Sequence, residues 1–139
     1  MDEAPLAAVL RLAKTFAAIT RALDAELGSH HGIGLAELRL LEVLAARPLA
    51  RLRPTDLSAE LGITASGVTR AVLPLVKRGI VKREPVPGDA RSSRVALTAA
   101  GRALTADALR TASEGAARLL RRLSVGQTRQ LERLLGEIV

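Results

Sequence analysis

The chain contains no cysteine, tryptophan or tyrosine, and its single phenylalanine is Phe16. Without thiols it can build no disulfide framework, thiolate-held zinc site or cysteine-based oxidant sensor. Without aromatic platforms, base-stacking sheets and grooves for single-stranded nucleic acid are excluded, while duplex DNA stays open. No apolar run approaches the ~18 residues of a membrane span. The opening MDEAPLAAVLRLAK carries acids where a secretory signal carries bases. These absences predict a soluble cytoplasmic protein.

What is abundant is alanine and leucine, 25 of each among 139 residues, a composition suited to close-packed helices in one domain. The 21 bases outnumber the 14 acids, and the net charge of +7 favours polyanionic partners. The charge is uneven: net −2 over residues 1–46, +6 over 47–94 and +3 over 95–139. The middle third therefore holds the electrostatic footprint.

Apolar residues at three- and four-residue spacing, from Leu6 through Phe16 to Leu27, predict a helix over 5–27 that ends at Gly28 and leads into a linker, SHHGIG. A second helix is predicted over 35–46. Pro54 suits the first position of a short helix over 54–61, although Arg53 cannot accept a hydrogen bond as its N-cap. Thr64 caps the next, over 65–78, and the two short helices joined by GIT form a helix-turn-helix pattern. Residues 80–86 and 93–97 read as strands flanking the turn-forming PVPGDARS, a basic hairpin. Thr98 begins a fifth helix toward Arg122, and Ser124 with Gln127 forms a capping box for a sixth.

Within residues 53–104, the strings SGVTR (66–70), KRGIVKR (77–83), GDAR with Asp89 and Arg91, and LTAAG (97–101) closely resemble the winged helix-turn-helix core of the MarR family of regulators. LAELRLLEVLA resembles the helix preceding that core. The resemblance implies a mainly α fold with a small β wing: a single unit over 1–139, a DNA-binding core over 35–97, and dimerisation helices over 5–28 and 98–139. It also implies that residues 64–78 enter the major groove and that the hairpin over 81–97 reaches the minor groove.

Carried across by position, Thr64, Ser66, Thr69 and Arg70 become candidate DNA contacts, with Gly67 allowing close approach. Arg91 becomes the wing-tip arginine and Asp89 the carboxylate that orients it, while Arg83 and Arg94 flank the wing as phosphate contacts. The chemistry agrees: helix N-terminal amides and hydroxyls bind phosphate, and arginine suits a narrow minor groove. Each of these residues also has a plain reading as solvated surface, and Lys77, Arg78 and Lys82 read as contributors to the field. The family's effector cleft would draw here on Phe16, Ile19, His30, His31, Leu35 and Leu109, which could equally be ordinary packing.

Adjacent His30 and His31 do not converge on an ion, so no metal is predicted, and no cofactor. Nothing prepares a nucleophile or an acid/base pair, so the chain does not read as an enzyme. Pro74 falls inside the proposed recognition helix, where it removes a hydrogen bond to Arg70 and predicts a bend. The leading expectation is a homodimeric repressor that binds pseudo-palindromic double-stranded DNA in the cytoplasm and is relieved by a small aromatic or phenolic effector. The alternatives are an architectural or non-specific duplex binder, and a helical interaction protein that has lost DNA binding.

Overall fold

The N-terminal apolar stripe forms a helix, and it is longer than the sequence predicts. In the computed structural model, which describes all 139 residues, α1 spans Ala4–His31 and stops at Gly32, whose φ of 67° supplies the left-handed cap. It passes through Gly28, so the predicted linker is corrected: His30 and His31 form the last helical turn. Gly28 costs a helix interior about 1 kcal/mol relative to alanine. Tertiary contacts offset that: Glu26 pairs with Arg118, and His31 Nε2 lies 2.7 Å from Thr111 Oγ1.

Next come α2 (Leu35–Ala45), a tight turn at Pro48–Ala50, and β1 (Arg51–Leu52). The first amides of α2 are held by Glu37, on Gly34 N, and by Asp24 of α1, on Leu35 N. The helix-turn-helix comprises α3 (Pro54–Leu61) and α4 (Ala65–Lys77). The wing comprises β2 (Val81–Val86) and β3 (Asp89–Leu97), and the chain closes with α5 (Ala99–Leu119) and α6 (Val125–Gly136). Thr64, Thr98 and Ser124 cap their helices as their sequence positions predict, and α4 remains helical through Pro74.

The sheet is antiparallel with order β1-β3-β2, so β3 is central. Its third strand, β1, was not foreseen; Arg51 pairs with Ala96 and Leu52 with Val95. The wing turn is also tighter than predicted, because only Pro87 and Gly88 separate the strands, and Asp89 and Arg91 belong to β3.

The core lies between α1's C-terminal half, α2, α3, the inner face of α4, the sheet and α5's first half. Leu27, Leu40, Leu41, Leu44, Leu57, Val72 and Val95 are fully buried. Thr98 joins two of these layers: its Oγ1 donates to Gly79 O at 2.6 Å and accepts from Gly101 N. Leu6, Val9, Leu10 and Phe16 of α1 remain exposed, and no residue of α6 is buried.

Candidate nucleic-acid interface

The helix-turn-helix is fixed by local chemistry. Gly62 turns the chain with φ 65°, and Ser58 Oγ donates to Ile63 O, closing the loop that presents α4. Val68, Val72 and Leu75 face the core, so Ser66, Thr69 and Arg70 point outward and are exposed. Thr64 Oγ1 accepts from Gly67 N at 3.1 Å and so serves as the cap, while Thr69 Oγ1 donates to Ala65 O at 3.2 Å. A Cβ built on Gly67 would meet nothing closer than Thr64 Oγ1 at 3.4 Å. The chain's own packing therefore gives little reason for a glycine in this helical turn.

The wing departs from a regular ladder at Pro85. Pro85 pairs with Ser93 but Val86 pairs with Asp89, which leaves Ala90, Arg91 and Ser92 as a bulge on β3. Proline has no N–H to donate to a ladder, and bulges redirect side chains. Asp89 compensates the bulge: Arg91 N donates to its Oδ1 at 3.1 Å and Ser92 Oγ to its Oδ2 at 2.6 Å. The expected pairing of the Asp89 carboxylate with the Arg91 guanidinium is corrected, since the carboxylate holds the Arg91 backbone instead. The Ser92 hydroxyl, then the Arg91 amide, and more weakly the Arg53 charge keep the Asp89 carboxyl below its usual range.

The ten bases of residues 47–94 divide into those held by partners, the half-buried Arg94, and those that are free. Arg47 pairs with Glu60, while Arg51 and Lys82 share Glu84, whose carboxyl is lowered first by the Arg51 hydrogen bond and also by Lys82, against the effect of burial. Arg78 binds main-chain carbonyls at the end of α1. The predicted field contribution of Lys82 and Arg78 is thus partly absorbed by these partners. Arg94 is half-buried, and its Nε is shut from solvent without a partner. Arg53, Arg70, Lys77, Arg83 and Arg91 are exposed and make no ion pair. They lie at the start of α3, on α4 and on the wing. Arg53 is not among the expected contacts; it is exposed and unpaired beside them, at an N-cap position where its side chain makes no cap hydrogen bond.

The six residues expected around an effector are dispersed on the single chain. Phe16, His30 and Leu109 are exposed, Leu35 packs against the core, and His31 is taken up by Thr111. Ile19 lines a cleft of about 310 Å³ with Arg11, Lys14, Leu119 and Leu120. A second, apolar cleft of about 390 Å³ separates α1 from α6 and is lined by Val9, Leu12, Leu131, Leu135 and Ile138. No group of three or more acidic or histidine side chains is arranged to hold a metal, and no helix is long and apolar enough to cross a membrane.

A family model described as the MarR family matches residues 31–92, from the end of α1 into the wing. A MarR family transcriptional regulator from Streptomyces coelicolor, solved in complex with DNA, is 25% identical with a TM-score of 0.88, over 99% of this chain and 87% of that one. A mutant MarR from E. coli complexed with operator DNA is 25% identical with a TM-score of 0.82, over 97% and 94%. The transcriptional regulator BldR from Sulfolobus solfataricus has a TM-score of 0.89 at 20% identity, over 99% and 97%, a likeness of fold. A comparison with curated protein sequences finds no match.

Proposed function

We propose that the chain, whose residues 31–92 match a MarR family model and whose fold is that of MarR regulators solved with DNA, is a homodimeric, sequence-specific duplex DNA-binding repressor of that family. The observation that carries this reading is the set of exposed, unpaired cations at Arg53, Arg70, Lys77, Arg83 and Arg91, arranged on the helix-turn-helix and wing beside the exposed Ser66 and Thr69. Ser66, Gly67, Thr69 and Arg70 read the major groove from α4, with Thr64 capping that helix at the DNA surface. Arg91 enters the minor groove, and Arg83 and Arg94 approach phosphates.

Dimerisation is supported by the apolar surface that one chain leaves uncovered, from Leu6 to Phe16 on α1 and at Leu131, Leu134 and Leu135 on α6 with Ile138 just after it. Burial of such surface contributes ~25 cal/mol per Å². Two copies then present their recognition helices to half-sites about 34 Å apart, one turn of duplex. The effector proposed is a small aromatic or phenolic anion. Its support is the Ile19 cleft, where Arg11 and Lys14 border apolar Leu119 and Leu120.

Binding to a genomic fragment library at several salt concentrations, with mass measured by sedimentation, tests the reading. A dimer that keeps sequence preference at moderate ionic strength is the expected result. A binder whose discrimination vanishes with salt would be architectural, and absence of a saturable duplex complex at low salt would leave only a helical interaction protein.

A further inference from the structure

Leu73 occupies an unexpected place for its chemistry. It is 51% exposed, although α4 buries Val68, Val72 and Leu75. At 100° per residue, Ser66, Thr69, Arg70, Leu73 and Lys77 fall on one face of the helix, with Leu73 near its centre and the buried valines opposite. Arg70 lies almost one turn before it and Lys77 one turn after, both exposed and without an ion pair. Leu73 is outside the buried core cluster, and a protein partner with an apolar surface would have to accept two flanking cations. The major groove of duplex DNA presents negative phosphates at its walls and, on its floor, one apolar group: the C5-methyl of a pyrimidine.

We propose that Leu73 is a specificity-determining residue that contacts a pyrimidine C5-methyl group in the major groove. The proposal rests on the DNA-binding reading above and deepens it. Two bases carry this methyl, thymine and 5-methylcytosine, and the contact is the same for either. Ser66, Thr69 and Arg70 supply polar readout, and Leu73 adds a preference that hydrogen bonds cannot express.

The test starts from duplexes enriched from a random pool by the wild-type dimer. In one arm each symmetric pair of thymines is replaced by uracil, which removes only the methyl group; in the other, cytosines are replaced by 5-methylcytosine. Wild type should lose affinity at one symmetric pair on thymine replacement, by about fourfold for each methyl, equivalent to ~0.8 kcal/mol. Leu73→Ala should bind the thymine and uracil duplexes equally. If instead cytosine methylation at one position tightens wild type and leaves Leu73→Ala unchanged, the same contact is made and its source is methylated DNA. Leu73 is exposed and alanine favours helix, so the variant should melt at or above the wild-type temperature. A complete replacement series in which wild type and Leu73→Ala respond alike overturns the contact while leaving duplex binding intact. Recovery of no enriched duplex overturns the DNA-binding reading itself, and Leu73 with it.

Discussion

The Arg78 guanidinium closes the C-terminus of α1: its Nη1 donates to Gly32 O at 2.8 Å, and its Nη2 donates to His31 O at 3.0 Å. Arg78 is also the residue that ends α4. One side chain thus joins α4 to the long helix whose N-terminal half keeps Leu6, Val9, Leu10 and Phe16 exposed. A cation at this position also opposes the partial negative charge of the α1 terminus.

Arg78→Ala should therefore lower stability by about 1–2 kcal/mol, the scale of hydrogen bonds from a charged donor at an exposed site. Arg78→Lys should recover only part, because an ammonium lacks the fork that reaches two carbonyls. Urea midpoints measure this. In DNA titrations of the proposed dimer both variants should lose more affinity for a full operator than for a duplex carrying one half-site, since the tie sets where α4 sits relative to α1.

Gly101 and Gly67 make an opposed pair. A Cβ on Gly101 would lie 1.9 Å from the Ile80 carbonyl oxygen, a backbone atom that cannot rotate away. Gly101→Ala should cost about 3 kcal/mol, or prevent folding, by driving α5 off the wing. Gly67→Ala should instead raise stability by about 0.5–1 kcal/mol, the ordinary helix gain. On the proposed docking its operator affinity should fall by at least about tenfold, or 1.4 kcal/mol, because the added methyl would stand on the turn of α4 proposed to meet DNA. Thermal melts and anisotropy titrations read the two effects separately.

These contrasts show which parts of the molecule local sequence could reveal. The caps at Thr64, Thr98 and Ser124 satisfy their own amides within three residues, so the starts of their helices are legible in the sequence, while the fifth helix ends at Leu119, short of the expected Arg122. The end of α1 depends on groups about 47 and 80 positions away, Arg78 and Thr111, and a reading of the segment alone stops at Gly28. Strand β1 has only two residues and exists because β3 pairs with it. Leu49 and Ala50, which precede it, hold positive φ without being glycine, and no sequence signal announces that. At the candidate site, the residue types on α4 and the wing were legible. The division of cations into paired and free was not, because Glu84 gathers Arg51 from a different strand.

The wing should weaken in acid. Glu84 and Asp89 both have carboxyls lowered on folding, by the Arg51 hydrogen bond and the Ser92 hydroxyl respectively. A depressed folded value means that the unfolded chain binds more protons between the two values, so stability rises with pH there. The contribution is full above the ordinary values of 4.5 for Glu84 and 3.8 for Asp89, and is lost as pH falls through their lower folded values. Urea titrations from pH 7 down to about pH 3 should show this decline. Glu84→Gln should flatten it, at a cost near neutrality of up to about 1 kcal/mol from the lost ion pairs.

The Asp89 carboxylate should control DNA recognition through the bulge that carries Arg91. Arg91→Ala removes the exposed wing cation proposed to enter the minor groove and should weaken operator binding by about 1–3 kcal/mol. Asp89→Ala leaves that cation in place but releases the Arg91 amide and the Ser92 hydroxyl, so the guanidinium is presented from a looser strand. It should reduce operator affinity more than affinity for scrambled duplex, even though the change removes a negative charge from the wing. Asp89→Asn keeps an oxygen for the Arg91 amide and should preserve most of the discrimination, which separates the bulge's geometry from the carboxylate's charge. A wing acting only through net charge predicts the reverse for both variants: equal tightening on operator and scrambled DNA. Anisotropy titrations at one salt concentration, with dimerisation checked for each variant, decide between them, and equal tightening would reduce Asp89 to a residue that merely starts the strand.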